Sequence, residues 1–199
     1  MKSSMMTQSP ESAVHPKTRA EWRAWLQQNH NRDEGIWFIL YKTSSGKSFF
    51  DVNDATEEAI YFGWIVSLPR KLDEERAMLY FAPRKKGSNW SALNKTRAEE
   101  MIEAGLMTTG GIEKIATAKE DGSWTALDAV EALVIPPDLA EAFDLYSSSR
   151  ENFKAFPRSV KRGILEWILN AKRPATRQKR IEETARLAAE NIRANQWRK

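Results

Sequence analysis

The sequence predicts an α+β fold: a small, mainly antiparallel sheet with packed helices, followed by an all-helical C-terminal part ending in a helical hairpin. Two short runs of β-forming residues, 36–41 and 76–82, supply strands. Apolar stripes at helical spacing then dominate, at Val160, Ile164, Trp167, Ile168 and Ala171 and again at Ile181, Ala185, Ala188 and Ile192. Between them residues 126–137 become small, apolar and proline-rich, which marks a boundary. The division is a flexible tail (1–17), an α+β domain (18–125), a connecting segment (126–136) and a helical region (137–199).

Taken in order, Thr18 caps a helix with Trp22, Trp25, Leu26 and Asn29 on one face, ending near His30, whose place at a helix C-terminus suits the dipole. Residues 36–41 form a strand, and Ser44-Ser45-Gly46-Lys47 turns the chain into a partner strand at 48–52. Asp54 and Glu57 have capping-box spacing, which predicts a helix over 54–64. Residues 76–82 alternate as a strand until Pro83, and Ser88–Ser91 offers an N-cap for a helix reaching Ala104 that puts Trp90, Asn94, Ala98, Met101 and Ile102 on one face. Gly105 ends it, and Thr108-Thr109-Gly110-Gly111 opens the next helix as a turn and cap. Residues 138–145 and 149–156 make short helices ahead of the hairpin.

Composition limits the chemistry. The 199 residues are 41% hydrophobic, enough for a core, and contain no cysteine, which excludes disulfides, thiol catalysis and thiolate metal sites. Two histidines and scattered carboxylates make no metal set, so neither metal nor cofactor is expected. The first seventeen residues lack the apolar run of a secretory signal and no window approaches a membrane span, so a soluble cytoplasmic protein is expected. A net charge of +4 conceals an asymmetry. Residues 150–199 hold 14 Lys and Arg against 5 Asp and Glu, whereas the preceding residues carry a net negative charge.

Aromatics, turn formers and cations concentrate between residues 54 and 94, in Phe62-Gly63-Trp64-Ile65 and in Phe81-Ala82-Pro83-Arg84-Lys85-Lys86-Gly87-Ser88-Asn89-Trp90-Ser91. Trp64 and Trp90 offer flat surfaces, Arg84 and Lys85 charge, and Ser88, Asn89 and Asn94 directional hydrogen bonds, the elements of a ligand-binding face. A second cationic set, Arg158, Lys161, Arg162, Arg177 and Arg180, opens the two hairpin helices, where the dipole favours negative charge; an anion held there, a solvated basic face or contacts with the acidic part would each account for it.

The chain resembles the YdeI/OmpD-associated family, also called the bacteriocin-protection or OmdA family. The resemblance runs through Trp25-Leu26, Gly35-Ile36-Trp37, Glu57-Glu58-Ala59 and the Phe62–Ile65 run, and is most specific at Pro83-Arg84 and Ser88-Asn89-Trp90-Ser91 with Asn94. Toward the C-terminus it rests on Pro137-Asp138-Leu139, Trp167-Ile168, Ala171-Lys172, Thr176-Arg177 and Arg180-Ile181. It implies protection against bacteriocins or cationic peptides and, by name alone, an envelope association. Relatives often carry Asp after the Phe-Gly-Trp-Ile run and a small residue before it; here those positions are Val66 and Tyr61.

Two functions follow. The first is a non-enzymatic binding or stress-protection protein whose aromatic–cationic face takes an anionic small molecule, peptide or nucleic acid, the last being less favoured. The second is a small enzyme with Glu57 or Glu58 as general base and Arg84 as anion clamp, which requires a carboxylate facing Arg84 across a cleft. The lack of a nucleophile–base set favours the first.

Overall fold

The computed structural model describes residues 12–47 and 50–196. The chain divides into two compact units between Thr125 and Ala126.

In the first unit, α1 (Arg19–Asn29) is capped by Thr18, whose hydroxyl accepts from the Glu21 amide, and it buries Trp22 and Leu26. Strand β1 (Ile36–Tyr41) follows. Among the described residues it pairs with residues 76–81; of the expected partner at 48–52, Ser48 and Phe49 lie outside the described residues and Val52 already opens α2 (Val52–Tyr61). The capping box of α2 is Asp51 with Asp54, one turn earlier than Asp54 with Glu57. Both pairs have the right spacing, and the shift to the earlier one leaves Glu57 and Glu58 on the flank of α2 that meets α1.

Helix α2 stops where Gly63 takes φ +73°, a conformation costly for any residue with a Cβ; a Cβ there would also lie 2.6 Å from the Lys114 side chain. Trp64 therefore begins strand β2 (Trp64–Lys71) rather than ending a helix. Pro69 fits β2 because the sheet order β1-β3-β2 leaves β2 at an edge, with an irregular register between Val66 and Pro69. Strand β3 (Arg76–Pro83) is central and antiparallel to both neighbours. Val14 exchanges backbone hydrogen bonds of 2.8 Å with Trp37 and Ile39, so the segment expected as flexible tail through residue 17 is, from Val14, attached to β1.

Trp22, Phe38, Trp64 and Phe81 are fully buried between the sheet and the helices; Trp22 stacks edge-on to Phe38 and Phe81. Helices α3 (Ala92–Glu103) and α4 (Thr109–Glu120) complete the unit, capped by Ser91 and Thr108. Trp90 precedes the cap of α3, so it sits on the loop and not on the helical face assigned to it, while Ile102 is exposed.

The second unit is helical, as expected: α5 (Asp128–Glu131), α6 (Pro137–Asp144), α7 (Ser149–Ala155), α8 (Arg158–Leu169) and α9 (Pro174–Ala189). Helices α8 and α9 form the hairpin, with Ile164, Ile168, Ile181 and Ala185 in its core. Asp138 receives two hydrogen bonds from Arg177, at 2.7 and 3.0 Å, and this pairing holds its carboxyl below the usual range. The unfolded chain then binds the proton more readily, so the stabilisation is complete above the unfolded carboxyl value and fades as pH falls through the folded one. The stability difference between wild type and Asp138→Asn, followed by urea unfolding, should be constant near neutrality and shrink below about pH 4.

Candidate functional site

The site forms where the chain leaves β3. The Arg84 amide donates to the Gly63 carbonyl at 2.9 Å, which ties the start of the loop to the turn between α2 and β2. The loop is then fastened to the end of α4. Gly87, at φ +76°, points its amide at Asp121 Oδ2 (2.8 Å), and the Trp90 amide donates to the Ser123 carbonyl (3.3 Å). The other oxygen of Asp121 accepts from the Ser123 amide at 2.9 Å, and the Ser123 side chain first, then the Ser123 and Gly87 amides, lower the Asp121 carboxyl.

This arrangement buries Trp90 against Trp124, with ring centroids 4.9 Å apart, and lays the Arg84 guanidinium 3.6 Å from the centre of the Trp90 ring. Arg84 is only 3% exposed. Its Nη1 donates to the Asn89 carbonyl at 3.2 Å, whereas no protein acceptor reaches the buried Nε or Nη2. Burial alone pushes its pKa down, to about 9, which leaves it cationic at neutral pH. Stacking on a desolvated Trp returns about 2 kcal/mol, but each unmade buried donor costs about 1–3 kcal/mol, so the cation is incompletely compensated.

Beside it lies a cleft of about 140 Å³. Arg84, Lys85, Lys86, Ser88 and Trp90 line it from the loop, and Lys114, Thr117, Ala118, Asp121 and Ser123 from α4 and its exit.

Of the sequence-derived ligand residues, Arg84, Lys85, Ser88 and Trp90 meet at this cleft, and Asn89 contributes its carbonyl to Arg84. Trp64 does not line it: fully buried, it donates from Nε1 to the His30 carbonyl (3.0 Å) and packs edge-on to Trp25. Asn94, in the first turn of α3, donates its amide to Ser91 Oγ and lies off the cleft. The α4 contribution was missed, although Lys114, Thr117, Ala118 and Asp121 have the spacing of a single helical face.

The proposed acid–base pair stands elsewhere. Glu58 is 1% exposed and accepts from Arg19 Nε and Arg23 Nε, both at 2.6 Å, while Glu57 pairs with Arg19 at 3.0 Å. Neither lines the Arg84 cleft, so the carboxylate opposite Arg84 that the enzyme reading requires is not supplied by α2. Tyr61 and Val66 also lie off the cleft lining.

The second cationic set is engaged within its own unit. Arg158 donates to the Glu131 carbonyl, Lys161 to that of Lys154 and Arg180 to that of Trp167. Arg162 pairs with Glu131 and Glu166, and Arg177 with Asp138. Among the described residues no group of three or more His, Cys, Asp or Glu could hold a metal ion, and no helix is long and apolar enough to cross a membrane.

Residues 14–114, just over half of the chain, match the family model of a domain of unknown function, DUF8412. Residues 132–191 match the model described as "Bacteriocin-protection, YdeI or OmpD-Associated" (OmdA). The chain belongs to the DUF8412 family and carries a C-terminal OmdA segment. The YdeI/OmpD-associated resemblance is thus supported in the helical unit, whereas the part of the chain where its motifs looked most specific falls under DUF8412. No curated protein and no solved structure matches the chain. The DUF8412 match includes Arg84 and Trp90 and ends at Lys114, so the α4 side of the cleft lies largely beyond it.

Proposed function

We propose that the DUF8412 unit is a non-enzymatic binding module for a small anionic ligand, with Arg84 as its charge partner and Trp90 as its platform. One observation carries this reading: Arg84 is a buried cation with two unpartnered donors and no carboxylate on it. Buried charges are paired in stable proteins, and the partner that fits here is an anion. Asp121, the one carboxylate in the cleft lining, holds the loop through the Gly87 and Ser123 amides, a structural use that favours binding over catalysis. The size of the cleft supports a small molecule over a polyanion, as does the engagement of the C-terminal cations inside their own unit. The match of residues 132–191 to the bacteriocin-protection model supports reading this binding as part of a protective role.

A thermal-unfolding titration with sodium sulfate and sodium formate at fixed ionic strength tests the proposal. The wild-type midpoint should rise, by the equivalent of about 2.7 kcal/mol at a hundredfold excess over the dissociation constant, and that of Arg84→Met should not move. Equal responses in the two proteins would place any anion effect elsewhere.

A further inference from the structure

Resting on that reading, we infer that the ligand is a small monocarboxylate, held edge-on by two parallel hydrogen bonds from Arg84 Nε and Nη2. The guanidinium offers few approaches. Trp90 covers one face at 3.6 Å and Nη1 is tied to the Asn89 carbonyl. What remains is the Nε–Nη2 edge, whose two N–H groups lie in one plane and match the two oxygens of a carboxylate. Water does not touch that edge, so a carboxylate seats on it as the neighbouring side chains of the loop shift, and the bonds then form at low dielectric and discriminate strongly by geometry.

The cleft is lined by four cations and one carboxylate, so its charge draws anions in general and the fork at Arg84 is what selects a carboxylate. Lys85, Lys86 and Lys114 draw anions in, but Asp121 lines the same cleft with its carboxylate fixed by Gly87 and Ser123. Helix α4 also presents its last turns, Thr117 and Ala118, and so the negative end of its dipole. A phosphate dianion would meet both repulsions, and the helix N-terminus that commonly receives phosphate is not part of the lining. The remaining lining, Ala118, Thr117 and lysines whose stems are aliphatic, suits a short carbon tail. About 140 Å³ accommodates a few carbons beyond the carboxylate.

The test follows the Arg84 side-chain Nε–H resonance of the full chain by ¹⁵N NMR at neutral pH and fixed ionic strength. Sodium butyrate is titrated first and inorganic phosphate second. Butyrate should shift this resonance saturably and bind about tenfold more tightly than phosphate. Arg84→Lys keeps the charge without the fork and should weaken butyrate about tenfold, read from the Gly87 amide, while changing phosphate little. Asp121→Asn removes the repulsion and should strengthen phosphate more than butyrate, while the Gly87 and Ser123 amide resonances report whether the loop keeps its place on the one remaining acceptor oxygen. Phosphate binding more tightly than butyrate to the wild type, or undiminished butyrate binding by Arg84→Lys, would overturn the carboxylate assignment and leave the anion site standing. No response of the Arg84 resonance to either anion would overturn both.

Discussion

Arg84→Met should raise the unfolding free energy of the ligand-free protein by about 1–3 kcal/mol, although it removes a buried side chain with a clear stacking partner. Methionine fills similar length and packs on Trp90, while the substitution removes a buried charge that satisfies one of its donors through Asn89 and leaves Nε and Nη2 without acceptors. The loss of the cation–π contact, about 2 kcal/mol at most, is outweighed by relief of desolvation. Urea unfolding measures this as a higher midpoint with an unchanged slope. Stability given up at a binding residue is a common cost of function, and its recovery on substitution would mark Arg84 as kept for a ligand.

Glu58→Ala should have the opposite effect, lowering stability by about 3 kcal/mol. Glu58 joins α1 to α2: Arg19 and Arg23 converge on its two oxygens, and Arg23 also lies 4.7 Å from the centre of the Tyr61 ring. Removing the carboxylate leaves Arg23 with Tyr61, through its ring and its hydroxyl, while Arg19 retains Asp54 and Glu57. Both arginines are more than a third exposed, so water takes up part of the loss and holds it near the lower end for a broken buried pair. Glu58→Gln should lose less and respond to anions like the wild type, because Glu58 is not in the cleft. A change in anion affinity in Glu58→Gln would revive α2 as part of the site.

Much of this was legible in the sequence, for identifiable reasons. The helices of the second unit carry long apolar stripes that only helices satisfy, and Thr18, Ser91 and Thr108 announce their helices because capping is a local interaction. Strand β2 was not legible. It is an edge strand with Pro69 and exposed residues, so it has neither the alternation nor the apolar run of its neighbours. The cap of α2 was misplaced because Asp51, Asp54 and Glu57 recur at one-turn spacing and only the extended backbone at Asp51 chooses between them. At the site, the cationic loop with Trp90 stood out by composition. Trp64 resembled it by residue type, yet a tryptophan's burial depends on tertiary packing that sequence alone does not reveal. The α4 half was hidden for the same reason: the periodicity of Lys114, Thr117, Ala118 and Asp121 defines a face, but not what the face meets.

The most direct test of Arg84 as a buried cation that takes an anion is a four-way comparison of unfolding free energy: wild type and Arg84→Met, each with and without saturating sodium butyrate. Arg84→Met should be the more stable protein without the anion, and butyrate should stabilise only the wild type, closing or reversing the gap. An Arg84→Met protein about 3 kcal/mol less stable than wild type, with butyrate affecting neither, would show that Arg84 is a structural residue and contradict the binding site.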